Sequence, residues 1–165
     1  MIRILLADDE RGIAEGVGFL LLNAPKPLAK EGIEIVGIAE DGEEGIALTK
    51  EFDPDLIISD VRMPVMDGLE MIEKLNEETK QRPIPVKYIM LSGYAEFEYA
   101  RQAIRLGVRS YICKPVEEEE LYEAVRSLCL EIEKEREELQ RTAQMAWETE
   151  KIRKDREELR LNQIL

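Results

Sequence analysis

Four apolar runs in this 165-residue chain each end in a polar residue suited to metal or phosphate chemistry. Asp8-Asp9 closes Ile2-Arg3-Ile4-Leu5-Leu6-Ala7, and Asp60 closes Leu56-Ile57-Ile58-Ser59. Ser92 closes the run from Val86 to Leu91, and Lys114 closes the run from Val108 to Cys113. Helical stretches separate these runs, and such alternation is the pattern of an α/β fold with a parallel sheet. The carboxyl ends of parallel strands share one edge, so residues far apart in sequence converge there.

Turn chemistry sets the expected elements. A helix over 11–23 is broken by Ala24-Pro25-Lys26-Pro27, and strand two, 34–39, runs to the turn pair Asp41-Gly42. Helix two covers 43–52, Asp53-Pro54 leads into strand three, and Pro64 with Asp67-Gly68 forms a loop before a helix over 69–78. Strand four is 86–91, helix four 96–106 is closed by Gly107, strand five is 108–113, and a last helix starts near Glu117. The expectation is a doubly wound five-stranded parallel sheet, with the flavodoxin-like order 2-1-3-4-5 as the leading topology and an extended C-terminal helix.

Three carboxylates on one sheet edge cannot all stay ionised without a compensating cation. Hard oxygen ligands point to Mg²⁺, which keeps several waters and serves phosphoryl chemistry. Lys114 adds a point charge for a phosphate oxygen. Singly, each residue has a plainer reading. Asp8 or Asp9 could cap the next helix, Ser92 could be a turn residue, and Lys114-Pro115 could be a turn. Four strand ends of matching chemistry outweigh four coincidences.

Composition narrows the classes. The chain is 44% hydrophobic and 36% charged, with net charge −13, so its own binding to a phosphate backbone is unfavourable. No apolar stretch is long enough for a membrane helix, and residues 2–7 are too short for a signal peptide. A cytoplasmic protein is expected. Cys113 and Cys129 have no metal or redox spacing, and Cys113 reads as a small buried hydrophobe. Histidine is absent, which excludes Ser-His-Asp hydrolases, His-Glu-x-x-His metalloproteases and phosphohistidine carriers.

From Glu117 to Leu165 there is neither Gly nor Pro, and good helix formers dominate. Val125, Leu128, Ile132 and Leu139 follow a three-four spacing, whereas Met145, Ile152 and Leu159 repeat every seventh residue in a shifted register. A solvated single helix and a dimerising or linking helix are both open. A long isolated helix is poorly sustained by propensity alone, which favours a partner helix.

Together, Leu6-Ala7-Asp8-Asp9-Glu10, Ser59-Asp60-Val61-Arg62-Met63-Pro64-Val65-Met66-Asp67-Gly68, Leu91-Ser92-Gly93-Tyr94 and Tyr111-Ile112-Cys113-Lys114-Pro115-Val116 resemble the receiver domain of two-component response regulators. The resemblance covers roughly residues 1–128. It implies that Asp60 accepts a phosphoryl group from a sensor histidine kinase, and that Asp8, Asp9, Asp60 and the carbonyl of Arg62 hold Mg²⁺. It also implies that Ser92 and Lys114 bind the phosphoryl group, that a cis bond precedes Pro115, and that Tyr111 is the switch aromatic. Such a domain is not an enzyme beyond its own Mg²⁺-dependent phosphorylation and dephosphorylation.

Ser92-Gly93-Tyr94-Ala95-Glu96-Phe97-Glu98-Tyr99-Ala100 and Ala103-Ile104-Arg105-Leu106-Gly107-Val108 are similar to regulators carrying an AraC-type helix-turn-helix output domain. The implied division is a receiver over 1–128 and a helical linker or coiled-coil extension over 129–165, with DNA bound only by an output domain outside this chain. A homodimer is expected through the helix 4–strand 5–helix 5 face, the C-terminal helix, or both. Two other classes fit less well. Haloacid-dehalogenase-like enzymes place a second Asp two residues after the nucleophile, where this chain has Glu10 or Arg62. A phosphorylation-independent module would have little reason to keep Asp8, Asp9, Asp60, Ser92 and Lys114 together.

Overall fold

The computed structural model describes residues 1–93 and 97–164. Tyr94, Ala95 and Glu96, including the expected start of helix four, lie outside the described residues. The elements are β1 (Ile2–Ala7), α1 (Arg11–Leu22), β2 (Ile33–Ala39), α2 (Gly42–Phe52), β3 (Leu56–Asp60), α3 (Gly68–Glu78), β4 (Lys87–Ser92), α4 (Phe97–Arg105), β5 (Ser110–Cys113) and α5 (Glu118–Ile164). Every strand pairing is parallel, in the order β2-β1-β3-β4-β5. This is the expected flavodoxin-like topology.

Burial explains why the strands were readable. All residues of β3 and β4 are buried, and in β1 only Arg3 is not. Strands covered by helices on both faces read as near-continuous apolar runs. The outer strands β2 and β5 are only partly covered. Cys113 closes β5 and is exposed, contrary to its reading as a buried hydrophobe, because it lies at the open end of an edge strand. Cys129 is buried.

Helix ends follow capping chemistry. Asp41 and Asp67 accept hydrogen bonds from the backbone N–H of Glu44 and Glu70, each at 2.8 Å, as N-caps of α2 and α3. The N-cap of α1 is Glu10, without a side-chain bond, so neither Asp8 nor Asp9 serves as that cap. Strand five starts two residues later than expected. Gly107 has φ +86° and donates to the Ile104 carbonyl, while Val108 donates to the Ala103 carbonyl, which is a Schellman closure of α4. Val108 is therefore consumed in ending the helix.

The chain divides into two compact units, Met1–Glu131 and Ile132–Leu165. Within the first, α5 buries Leu121, Tyr122, Val125, Leu128 and Cys129. Its Glu131 carboxylate lies 2.7 Å from Arg109 and 3.7 Å from the ammonium of Lys87, which is buried inside the apolar β4. A charge at that depth requires such a partner. The second unit is helical through Ile164, and every side chain from 137 to 163 is exposed. Among the described residues, no helix is long and apolar enough to cross a membrane.

Candidate functional site

Register places the chemistry. Ala7 pairs with Ser59, so Asp8 and Asp60 emerge side by side at the carboxyl ends of β1 and β3. Asp60 pairs with Leu91 and Ser92 with Cys113, which brings the ends of β4 and β5 alongside. The backbone N–H of Lys114 donates to the Ser92 carbonyl at 2.7 Å. From there the Lys114 ammonium reaches back over the sheet edge, 2.9 Å from Asp8 Oδ2 and 3.3 Å from Asp60 Oδ2. Residues more than a hundred positions apart meet in one cluster.

The carboxylates are held by backbone. The N–H of Glu10 donates to Asp8 Oδ1 at 2.9 Å and that of Val61 to Asp60 Oδ1 at 2.8 Å. Asp8 is 3% and Asp60 9% exposed, while Asp9 is open to solvent. Burial pushes the Asp60 carboxyl above its ordinary pKa; the charge of Lys114 opposes this and that of Asp8 adds to it. Burial pulls Lys114 down, but its hydrogen bond to Asp8 and the two carboxylate charges more than offset that and leave it raised. Carboxylate oxygens of Asp8, Asp9 and Asp60 all lie within 4.8 Å of one another. One ammonium against three carboxylates leaves a negative cluster of hard oxygens, partly open to water through Asp9. That donor set fits a hydrated divalent cation of the Mg²⁺ type.

The other expected site residues lie on or just beyond the strands that end at this edge. Ser92 is fully buried at the end of β4. Arg62 follows Asp60 by two residues, and its guanidinium is engaged by the Tyr99 hydroxyl on α4. Tyr111 is half-buried on β5 and packs against the core. The Lys114–Pro115 peptide bond is cis.

Two residues that carry no chemical signal in the sequence fix the Asp60 backbone. The Ser59 hydroxyl donates to the Asp60 carbonyl at 2.8 Å. Gly68, read only as a turn residue, opens α3 and donates its N–H to the Val61 carbonyl at 2.8 Å. A Cβ at Gly68 would run into the Asp60 carbonyl oxygen and lie 2.9 Å from Ser59 Oγ. An Asp-Gly pair reads as an ordinary turn in the sequence, so the close approach that requires Gly68 shows only in the fold. The intervening loop is tight. Val65 has φ +67°, and the Met66 N–H donates to the Pro64 carbonyl at 2.7 Å, the strained form of γ-turn. The Met66 carbonyl then accepts from the Gly42 N–H at 2.8 Å, tying this loop to the start of α2.

The flavodoxin-like sheet thus carries an aspartate cluster and a lysine at its carboxyl edge, the arrangement of a signalling receiver class. The chain belongs to the response regulator receiver domain family, whose sequence pattern matches residues 4–126. It is 34% identical over 153 residues to the uncharacterized transcriptional regulatory protein YesN of Bacillus subtilis, covering 93% of this chain and 39% of that protein. It is 30% identical over 128 residues to the chemotaxis protein CheY of Treponema pallidum, covering 76% of this chain and 81% of that one. Among solved structures, the receiver domain of AraT, a response regulator from Geobacillus stearothermophilus, matches with TM-score 0.69 and 34% identity over 82% of this chain and 98% of that one. The chain thus spans about two fifths of YesN but most of CheY. Receiver domains bind Mg²⁺ at an aspartate cluster, and response regulators receive phosphate from histidine kinases.

Proposed function

We propose that this chain is the phosphoacceptor switch and linker of a larger transcription regulator in the cytoplasm. The observation that carries this reading is the Lys114 ammonium bridging Asp8 and Asp60 beside the strand end of Ser92. An Asp60 carboxylate oxygen attacks the phosphorus of a phosphohistidine on a partner kinase. The P–N bond breaks as the P–O bond forms, and the departing imidazole nitrogen takes a proton. Asp8, Asp9, Asp60 and the Arg62 carbonyl would hold Mg²⁺, which would neutralise the carboxylates and screen the incoming phosphoryl charge. Ser92 donates its hydroxyl hydrogen to a phosphoryl oxygen, and Lys114 exchanges its carboxylate partners for another. The phosphoryl group adds about −1.5 to −2 charge and biases β4, α4 and β5 toward a second arrangement, which Tyr111 reports on the outer face.

These roles make a test. Calorimetric titration with Mg²⁺, followed by beryllofluoride as a phosphoryl mimic, should show mimic binding only after metal. Asp9→Ala should weaken Mg²⁺ about tenfold or more, since a charged ligand is lost, whereas Ser92→Ala should leave Mg²⁺ nearly unchanged and weaken the mimic. Equal Mg²⁺ losses in the two variants would sink the division of roles.

The receiver part is taken as 1–128 and the linker as 129–165, leading to an AraC-type output domain outside this chain. The wording of residues 92–108 and the similarity to YesN over 93% of the chain support this. Within the second unit Leu139, Met145, Trp147, Ile152 and Leu159 are all exposed, and an apolar series on an otherwise solvated helix fits pairing with a second copy. The α4-β5-α5 face is the other contact proposed for the dimer. Truncation after Arg136, which keeps Glu131 opposite Lys87, should leave a folded receiver that sediments as a monomer while the full chain sediments as a dimer. A monomeric full chain at tens of micromolar would make the second unit a solvated linker.

A further inference from the structure

Arg62 follows Asp60 by two residues, and its Nε and Nη2 donate to the Tyr99 hydroxyl at 3.0 and 2.6 Å. Its guanidinium carbon also lies 5.3 Å from the centroid of the Tyr99 ring. Tyr99 belongs to α4, where it is half-buried against the core. Among the described residues, that helix buries little else. Ala103 is its one fully buried residue among those described, Phe97 and Ile104 point large apolar side chains into solvent, and Arg101 pairs within the helix with Glu98. Its C-terminal end is fastened by the Asn76 side-chain amide, which donates to the Leu106 carbonyl at 2.9 Å, and by the closure at Gly107. Toward the N-terminus, Tyr99 holds α4 to Arg62 in the loop that follows Asp60.

We propose that the Arg62–Tyr99 contact is a latch that couples the position of α4 to the state of Asp60 and favours the unphosphorylated arrangement. The inference rests on the phosphoacceptor reading of Asp60. The direction follows from the two acceptors in competition. A tyrosine hydroxyl is neutral, whereas a phosphoryl group on Asp60 places roughly two negative charges within a few residues of Arg62. A guanidinium prefers the anionic oxygens, with which it can form paired charge-assisted bonds. Phosphorylation therefore draws Arg62 from Tyr99, and α4 loses its tether on the site side. By reciprocity, opening the latch strengthens phosphoryl capture by the same factor that phosphoryl capture opens the latch. Tyr99 acts here as a positioning residue, through Arg62.

The experiment uses the full chain and beryllofluoride with Mg²⁺, read by affinity for the mimic and by hydrogen exchange of the α4 amides, 97–105. Tyr99→Phe removes the hydroxyl and keeps the ring. It should tighten mimic binding roughly threefold to tenfold, the effect of one charge-assisted hydrogen bond that is partly solvated. It should also speed α4 exchange in the free protein. In an Arg62→Gln background, adding Tyr99→Phe should change neither quantity, because residues acting through one contact are not additive. Equal mimic affinity for wild type and Tyr99→Phe, or the same Tyr99→Phe effect with and without Arg62, overturns the latch. A wild-type chain that fails to bind the mimic at all overturns the phosphoacceptor reading and the coupling with it, a result distinct from either.

Discussion

Asp60→Asn should take up no phosphoryl group from acetyl phosphate, while the wild-type chain should gain one, and only when Mg²⁺ is present. The substitution keeps the shape of the side chain and replaces the attacking carboxylate oxygen by an amide, which is no nucleophile at phosphorus. The neighbours change little. The Val61 N–H still finds an oxygen acceptor, and Lys114 retains Asp8 at 2.9 Å. The charge removed is one that burial and Asp8 already disfavour, so the variant should remain folded and melt no lower than wild type without metal. Intact-mass measurement after incubation with acetyl phosphate, with and without chelator, reads the result directly. A variant that gains one phosphoryl group at the wild-type rate removes Asp60 from its assigned role and moves the chemistry to another carboxylate.

Gly68→Ala is the second large effect, and it acts through backbone. The added methyl group meets the Asp60 carbonyl oxygen, with Ser59 Oγ and Met90 Cε next in line. A flexible methionine end can swing aside, but the carbonyl belongs to a strand paired on both sides and cannot. The start of α3 must instead move away, lengthening the Gly68–Val61 hydrogen bond and disturbing the cap at Asp67. We expect a loss of about 2–4 kcal/mol of unfolding free energy, in the range for forced overpacking combined with a lost backbone bond. Urea denaturation checks it. A Ser59→Ala, Gly68→Ala pair should recover little, because the carbonyl remains; near-wild-type stability of Gly68→Ala would show that the loop yields without cost.

The parts of this protein legible in its sequence are those whose cause is local. β1, β3 and β4 stand out because their residues are buried almost throughout, whereas Asp41 and Asp67, legible only as turn residues, are N-caps that accept from the backbone N–H three residues on. Topology then places Asp8, Asp60 and Lys114 together, since parallel strands deliver their ends to one edge. What escaped reading depends on distant partners. Lys87 looks misplaced inside an apolar strand until Glu131 arrives from α5. Val108 has the composition of a strand residue, yet it is spent on closing α4. Cys113 continues an apolar run but comes after the covered part of β5 ends. Gly68 shows its purpose only when the Asp60 carbonyl is brought up against it.

The backbone hydrogen bond from Lys114 to the Ser92 carbonyl has a mechanical consequence. It welds the hydroxyl and the ammonium assigned to the phosphoryl group onto a common pivot, so neither strand tip can travel far alone. A pull on one is felt by the other within the length of a single bond. If the two groups act as proposed, their backbones move together, and a lesion that loosens this joint should let one strand tip shift without the other.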